Sequence, residues 1–454
     1  MITARAFAGK HYAVYGLARS GLAAAEALLA GGAKVTAWDA KEEARNRLLP
    51  LREGGAKRRK GEFDSPHPST AFGGPPPPTG EDLIIANLDE ADLTQFDSLV
   101  VTPGLPLNRH PIAERAREAG VEIIGDIELF ARARPELPPH KVVGITGTNG
   151  KSTTTALVHH ILKTASVPSA MGGNIGLPIL AQDPLPEGGV YVLELSSYQL
   201  DLTQSLDCDV AVLLNITPDH LDRYDSFEAY AASKNRLLDL QSVEHKAVIN
   251  WPAFEAGLIN PETSGFNGII PLRHGEQKNW PTLQGPHNAE NADAARQVCG
   301  WLGLSDEQIE QGLRTYPGLP HRMERIREKD GVLFVNDSKA TNPTATAPAL
   351  AAFERTRWIC GGQAKADDLD ECAPYFGHVC KAYTIGEAGE LFASLLSPHM
   401  AVSECETLER AVGEAAAEAE SGDTVLLSPA CASFDQFRDF EDRGEQFRAL
   451  VEGL

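Results

Sequence analysis

Lys151 lies in "GITGTNGKSTTT" (144–155), a glycine-rich loop ending in Lys-Ser. Such a loop holds phosphates when it follows a strand and opens a helix. The Val-rich run before it and the apolar-periodic run "ALVHHIL" after it supply that context. A strict G-x-x-x-x-G-K-[ST] loop needs glycine at position 145, where Ile145 stands; the glycine is Gly144, one residue early. Gly144, Gly147 and Gly150 are expected to turn backbone N–H groups toward one centre, and the helix N-terminus adds positive potential. Lys151 supplies a full charge for β- and γ-phosphates, and Ser152 a hydroxyl for Mg²⁺. The expectation is a variant nucleotide loop, not the GTPase or motor type.

Other polar residues sit where strands should end. Glu194 closes "VYVLEL", and an acid in that place beside a phosphate loop commonly reaches Mg²⁺ directly or through water. His220 follows the next apolar run in "TPDHLD"; a lone histidine is often structural, but a strand's carboxyl end is where ligands gather in open α/β sheets. Lys234 falls within the apolar face of a helix read over "DSFEAYAASKNRLLDL" (225–240), with Asp225 and Glu228 at capping-box spacing. A buried ammonium is costly unless paired or chemically changed; the plainer reading is a lysine that snorkels to water. In the last third, Asp337, Lys339, Thr341 and Asn342 crowd one loop, Lys365 follows a Gly-Gly turn, and Ser433 lies in "SPACASFDQF". Cations and hydroxyls at three strand ends suit a small dicarboxylate, although three ordinary polar loops would look alike.

The elements that must position these residues read as α/β throughout. "HYAVYGLARSGLAAAEALLAGGAKVTAWD" (11–39) is strand, Gly turn, amphipathic helix, strand. "DSLVVTPGLP" (97–106) is a further buried strand, and "ARARPELPPH" (131–140) a Pro-rich connector. "GVYVLELSSYQL" (189–200) and "CDVAVLLNITPDHLD" (208–222) continue a central nucleotide-binding block. A third block starts near "GLPHRMER" (318–325) and repeats strand-then-polar-loop three times. Residues 52–80, rich in Pro, Gly and charge, read as an exposed insertion. At roughly 100–200 residues per domain, a chain of this length holds two to four domains. Net charge of −22 disfavours nonspecific binding to nucleic acid or anionic membranes. The seven cysteines show no C-x-x-C pair, which fits reduced thiols and a cytoplasmic setting; Cys208, Cys360 and Cys431 read as small core residues. Neither a signal-peptide core nor an 18-residue apolar run is seen.

The ordered set "TGTNGKST", "GGNIG", "ELSSYQL", "NITPDHLDRY", "YAASKNR", "GPHNAENADAA", "HRME", "NDSKATNP" and "LLSPACASFDQF" resembles the Mur ligases from about Tyr12 to the C-terminus, 40–95 excepted. "GDIELF" with the last two motifs is similar to the family's D-glutamate-adding branch. The resemblance implies three domains: a Rossmann-like UDP-sugar domain (1–125), a central P-loop ATPase-like domain (126–319) and a Rossmann-like amino-acid domain (320–454). It implies ATP-dependent addition of D-glutamate to UDP-N-acetylmuramoyl-L-alanine through an acyl phosphate, in cytoplasmic peptidoglycan precursor synthesis. It also implies a monomer acting on small molecules without nucleic acid or membrane.

Residue by residue, it implies that Gly147, Thr148, Asn149, Gly150, Lys151, Ser152 and Thr153 hold the ATP phosphates. Ser152 and Glu194 would carry one Mg²⁺. His220 would carry a second Mg²⁺ with Lys234, whose amine is then a CO₂-derived carbamate. Asn288, Asn291, Arg322, Asp337 and Lys339 would complete the ATP site, with His321 at nucleotide or substrate. Gly16, Leu17, Asp39, Thr102, Gly104, Asn174 and His220 would hold the UDP sugar, and Thr341, Lys365, Ser433 and the backbone near Phe440 the D-glutamate. The chain departs from the pattern at Ala18 (G-x-A-x-x-G), at Thr102 where Ser is usual and at Ala366 where Gly is usual. Other readings are a nicotinamide-dependent oxidoreductase built on 11–39, a noncatalytic nucleotide switch, and a sister amide ligase, either another Mur enzyme or a folylpolyglutamate-synthetase-like one.

Overall fold

The computed structural model describes residues 1–52, 82–219, 223–249, 257, 266–269, 277–365 and 367–454. The expected insertion at 52–80 therefore falls almost wholly outside the described residues, as do His220 and Ala366. The described chain forms two compact units, Met1–Ile270 with Ala294–Gln308, and Pro271–Asp293 with Ile309–Leu454.

The first unit contains two parallel sheets. Strands β1 (His11–Tyr15), β2 (Lys34–Trp38), β3 (Leu83–Ile85), β4 (Ser98–Val101) and β5 (Glu122–Ile124) align in the order β3-β2-β1-β4-β5. The order reverses at β1, so the carboxyl ends of β1 and β4 flank a crevice of the kind that takes ligands in doubly wound sheets. The second sheet is β6 (His140–Thr146), β7 (Ser169–Gly173), β8 (Gly189–Glu194), β9 (Val210–Leu213), β10 (Lys246–Ile249) and β11 (Phe266–Ile269), ordered β11-β10-β9-β6-β8-β7. It reverses at β6, the strand that feeds the glycine loop. β6, β8 and β9 are buried along almost their whole length, as both-face coverage of a parallel sheet requires.

The connector expected at 131–140 is more regular than its prolines suggest. The helix Asp126–Ala133 runs into its start and β6 begins at its last residue. Between them Arg134 donates to the Asp207 carbonyl, to Asp209 and to His140. Glu128 accepts from the N–H groups of Gln204 and Ser205, so the join between the two sheets is hydrogen-bonded, not slack.

The second unit holds β12 (Glu324–Lys329), β13 (Val332–Asn336), β14 (Thr356–Gly361), β15 (Val379–Ile385), β16 (Ala401–Glu406) and β17 (Thr424–Leu427), in the order β12-β13-β17-β14-β15-β16. Only β12 is antiparallel. The three expected strand-then-loop repeats are β13, β14 and β17, which are immediate neighbours. Among the described residues, no helix is long and apolar enough to cross a membrane.

Candidate active site

The glycine loop joins β6 to the helix Lys151–Thr164. Gly147 (φ +150°) and Gly150 (φ +83°, the helix N-cap) adopt backbone conformations that side chains resist. Gly144 does not take part in the turn. It lies inside β6, where a Cβ would come within 2.7 Å of Cys208 Sγ and 2.9 Å of Leu237 Cδ1. Its glycine is required by close packing of β6 on its neighbours, which corrects the expectation that three glycines shape the loop.

β9 supplies the other wall. The Thr148 N–H donates to the Asn215 carbonyl (2.9 Å), and the Asn149 N–H donates to Asn215 Oδ1 (2.8 Å), whose amide returns a bond to the Asn149 carbonyl (3.1 Å). The Thr148 hydroxyl lies 3.1 Å from both the Thr217 carbonyl and the Tyr230 hydroxyl. Asn215 was not foreseen, although its position after an apolar run in "NITP" marks a strand's carboxyl end.

Two ammonium groups meet on one carbonyl. Lys151 Nζ donates to Gly147 O (2.8 Å) and Thr148 O (2.7 Å), and Lys234 Nζ donates to the same Gly147 O (2.9 Å). Lys234 is 1% exposed, so it does not snorkel. Burial first, and the Lys151 charge second, push its pKa down to about 7. Its helix, Phe227–Asp239, starts at Ser226, whose hydroxyl accepts from Ala229 N; the cap is one residue later than the Asp225 expected. Serine suits that role because its short oxygen reaches the third helical N–H.

Glu194 ends β8 and is 2% exposed. Its Oε1 accepts from Asn174 Nδ2 (3.0 Å), while Oε2 is buried with no hydrogen-bond partner among the described residues. Gly173 (φ +87°) permits this: a Cβ there would lie 2.1 Å from the Glu194 carbonyl. Asn174 thus orients Glu194. Ser152 is buried in the first turn of the loop helix, beside half-buried Thr153. A buried carboxylate oxygen without a donor fits a hard cation, and Ser152 and Glu194 are the residues that would hold it. Among the described residues there is no group of three or more His, Cys, Asp or Glu arranged to hold a metal.

At the first sheet, Gly16 (φ +91°) turns the chain after β1, and a Cβ there would meet Thr102 Oγ1 at 2.4 Å. Gly21 lets its helix pass the turn, since its Cβ would fall 1.8 Å from Gly16 O. Ala18 needs no glycine: it is the N-cap of the helix Arg19–Ala30 at φ −67°. Asp39 accepts from the N–H groups of Leu17 (2.7 Å) and Lys41 (2.9 Å). Gly16, Leu17, Asp39 and Thr102 are thereby brought together, and the Gly104 carbonyl accepts from Arg223 (3.4 Å).

The second unit gathers Asp337–Thr341, Gly362–Lys365 and Ser428–Ser433 at the adjacent carboxyl ends of β13, β14 and β17. Asp337 accepts from Ser428 Oγ (2.7 Å) and Met323 N (3.1 Å), and burial pushes its pKa up to about 7. Gln363 and Ala432 exchange two backbone bonds of 2.9 Å. Lys339 Nζ sits 3.6 Å from the Phe440 ring centroid. Ser433 is buried, Thr341 half-buried and Lys365 exposed. His321 is buried (φ +60°), with Nδ1 accepting from Asn336 (3.0 Å). Half-buried Arg322 follows it, its charge drawing on Asp337. Asn291 Nδ2 donates to Asn288 Oδ1 (3.1 Å) on the helix Pro286–Trp301.

Residues 145–256 match the model of the Mur ligase middle domain, and 321–431 that of the Mur ligase glutamate ligase domain. The chain is 57% identical, over its full length and 97% of the relative, to a UDP-N-acetylmuramoylalanine–D-glutamate ligase of Novosphingobium aromaticivorans. A relative of the same name from Zymomonas mobilis is 52% identical over the whole of both chains. In fold it is similar to the UDP-N-acetylmuramate–alanine ligase MurC of Thermotoga maritima (TM-score 0.57, 17% identity, 98% of this chain and 99% of that one). A MurF ligase from the same organism, solved in complex with ADP, gives a TM-score of 0.56 at 18% identity over 76% of this chain and 92% of that one. The chain belongs to the Mur ligase family, within its UDP-N-acetylmuramoylalanine–D-glutamate ligase branch.

Proposed function

We propose that this chain joins D-glutamate to UDP-N-acetylmuramoyl-L-alanine at the expense of ATP, in cytoplasmic peptidoglycan precursor synthesis. Its three sheets then serve as a UDP-sugar domain (1–125), an ATP domain (126–319) and an amino-acid domain (320–454), acting as a monomer. The observation that carries the reading is the convergence of Lys151 and Lys234 on the Gly147 carbonyl, beside a buried glutamate with an unused oxygen on the neighbouring strand β8.

A carboxylate is a poor acyl donor. One alanyl carboxylate oxygen attacks the γ-phosphorus, the bond to ADP breaks, and an acyl phosphate forms. The neutral amine of D-glutamate attacks its carbonyl carbon, the tetrahedral adduct expels phosphate, and the amine's proton leaves to solvent. Lys151 and the positive N-terminus of its helix, which begins at the Gly150 cap, spread the charge that develops on the phosphoryl oxygens, while the N–H groups of Thr148 and Asn149 are taken by Asn215. Asn215 and Thr217 keep the loop in shape for this. Thr341, Lys365, Ser433 and the backbone at Phe440 hold the two carboxylates of D-glutamate, and Gly16, Leu17, Asp39, Thr102, Gly104 and Asn174 the UDP sugar. Asn288, Asn291, Arg322, Asp337 and Lys339 complete the nucleotide site.

Mg²⁺ held by Ser152 and Glu194, and a second ion held by His220 and Lys234, would neutralise phosphate charge. The second site fits only if Lys234 is changed, because an ammonium repels a cation. Its lowered pKa leaves a nucleophilic amine near neutrality, and addition to CO₂ yields an N-carboxylate and releases one proton. The new anion also removes the crowding of two cations on one carbonyl.

The test is ADP formation with each co-substrate omitted in turn. Turnover that needs both the UDP sugar and D-glutamate is expected; equal ADP release without either one contradicts the proposal.

A further inference from the structure

Arg443, in the helix Phe440–Glu452, is 0% exposed and forms no ion pair among the described residues. Its donors go instead to the loops of the amino-acid site. Nε donates to Ser338 Oγ (2.9 Å), and Nη2 to Ser338 O (2.8 Å) and Cys431 O (3.1 Å). Nη1 donates to Ala432 O (3.4 Å). Ser338 Oγ in turn donates to Phe440 O (2.8 Å), which ties the loop after β13 to the helix start. Through Ala432 the fork reaches the third loop, because Ala432 exchanges backbone bonds with Gln363, two residues before Lys365. The loops are pressed so closely that a Cβ on Gly362 would meet Ala432 O at 2.4 Å and Arg443 Nη1 at 3.2 Å.

A buried charge normally takes a carboxylate partner. Here the backbone carbonyls of the β13 and β17 loops solvate it, and burial lowers its pKa only to about 10, so it stays charged near neutrality. Asp337 and Asp435 are the acids whose fields act on it, and neither pairs with it.

We infer that Arg443 is a positioning and selectivity residue of the amino-acid site: its planar fork sets the spacing of the Ser338, Ala432 and Gln363 loops, and its unpaired charge lies beneath them as an attraction for a dicarboxylate. This inference rests on the proposed glutamate reading. Lysine would keep the charge and lose the fork, since three donors on one nitrogen cannot reach carbonyls on two loops in the same way.

The experiment is steady-state phosphate release by the purified full chain, varying each substrate, for the wild type, Arg443→Lys and Ser338→Ala, with melting temperatures to confirm folding. In Arg443→Lys the KM for D-glutamate is expected to rise about tenfold or more, as misplaced positioning groups cost. The KM for ATP should rise by a clearly smaller factor, since of the three loops only the Ser338 loop also carries the nucleotide residues Asp337 and Lys339, and that for the UDP sugar should change less than about twofold. Ser338→Ala, a milder loss of one acceptor, should shift the D-glutamate KM in the same direction by a smaller factor. An unchanged D-glutamate KM in folded Arg443→Lys overturns the inference, as does an equal rise in the KM for ATP. If Arg443→Lys does not fold, Ser338→Ala decides: no change in its D-glutamate KM overturns the inference. Absence of D-glutamate-dependent phosphate from the wild type refutes the glutamate reading itself and takes this inference with it.

Discussion

Replacing Gly144 by alanine separates two jobs that the glycine loop combines. The added Cβ would lie 2.7 Å from Cys208 Sγ, 2.9 Å from Leu237 Cδ1 and 3.3 Å from Leu195 Cδ1. All three neighbours are fully buried, so room comes only from shifting packed side chains. Overpacking of this kind costs about 1–3 kcal/mol. Gly144 carries no positive φ, so alanine adds no backbone strain, and the turn at Gly147 and Gly150 is untouched. Denaturant unfolding should show the loss, while ADP affinity by calorimetry should stay within about threefold, or ~0.7 kcal/mol. Gly147→Ala should do the reverse. Its φ of +150° excludes a side chain and its Cβ would crowd Leu214 and Asn215, so nucleotide affinity should fall far more than stability. Cys208→Ala removes the closest obstacle, and in the double variant with Gly144→Ala about 1 kcal/mol of the penalty should return, as coupling between touching residues allows. Loss of ADP binding in Gly144→Ala equal to that in Gly147→Ala, at unchanged stability, would refute the division of labour.

Lys234→Ala should bind ATP yet turn over poorly, with added acetate restoring part of the rate; full activity in Lys234→Ala would contradict a functional carbamate. Gly173→Ala pushes a Cβ to 2.1 Å from the Glu194 carbonyl, so its Mg²⁺ requirement should rise more than tenfold, about the size of losing the orientation of one ligand; a Mg²⁺ titration decides. Asp423 takes Arg355 Nε (2.8 Å), Arg357 Nε (2.7 Å) and Glu420 N. Burial raises its pKa, but these donors outweigh it and the net value falls below 3.8. A depressed pKa stabilises the fold above the unfolded value, and that stabilisation is lost as pH falls through the folded one. Asp423→Asn should therefore cost about 3 kcal/mol at pH 7, with the gap to wild type closing below pH ~4; a constant gap across that range would count against the ion pair.

Strand ends that carry polar residues after Val- or Leu-rich runs were readable because a buried parallel strand must be apolar and its carboxyl end need not be. That is why Glu194, Asp337 and the loop at 144–155 could be singled out. Lys234 was readable as an anomaly from period alone, but its shared carbonyl with Lys151 depends on how two helices pack around β6. Gly144 was misread because a glycine beside a turn and a glycine under a packed sulfur look alike along the chain. β12 went unnoticed since "ERIREK" is an edge strand rich in charge, with Glu324 and Arg327 bonded to the last helix, so it shows no apolar alternation. Arg443 left no mark, because nothing in "FEDRGEQF" tells a buried guanidinium from a surface one. The UDP-sugar turn illustrates a tolerated departure: position 18 has negative φ, so the missing glycine costs nothing.

The central claim is that the alanyl carboxylate is activated by phosphorylation before D-glutamate attacks. UDP-N-acetylmuramoyl-L-alanine labelled with ¹⁸O in that carboxylate, turned over with ATP and D-glutamate, tests it most directly by mass spectrometry of the products. One labelled oxygen should appear in the released inorganic phosphate for each amide bond formed, with ADP unlabelled. Unlabelled phosphate, or label recovered in AMP, would contradict the account.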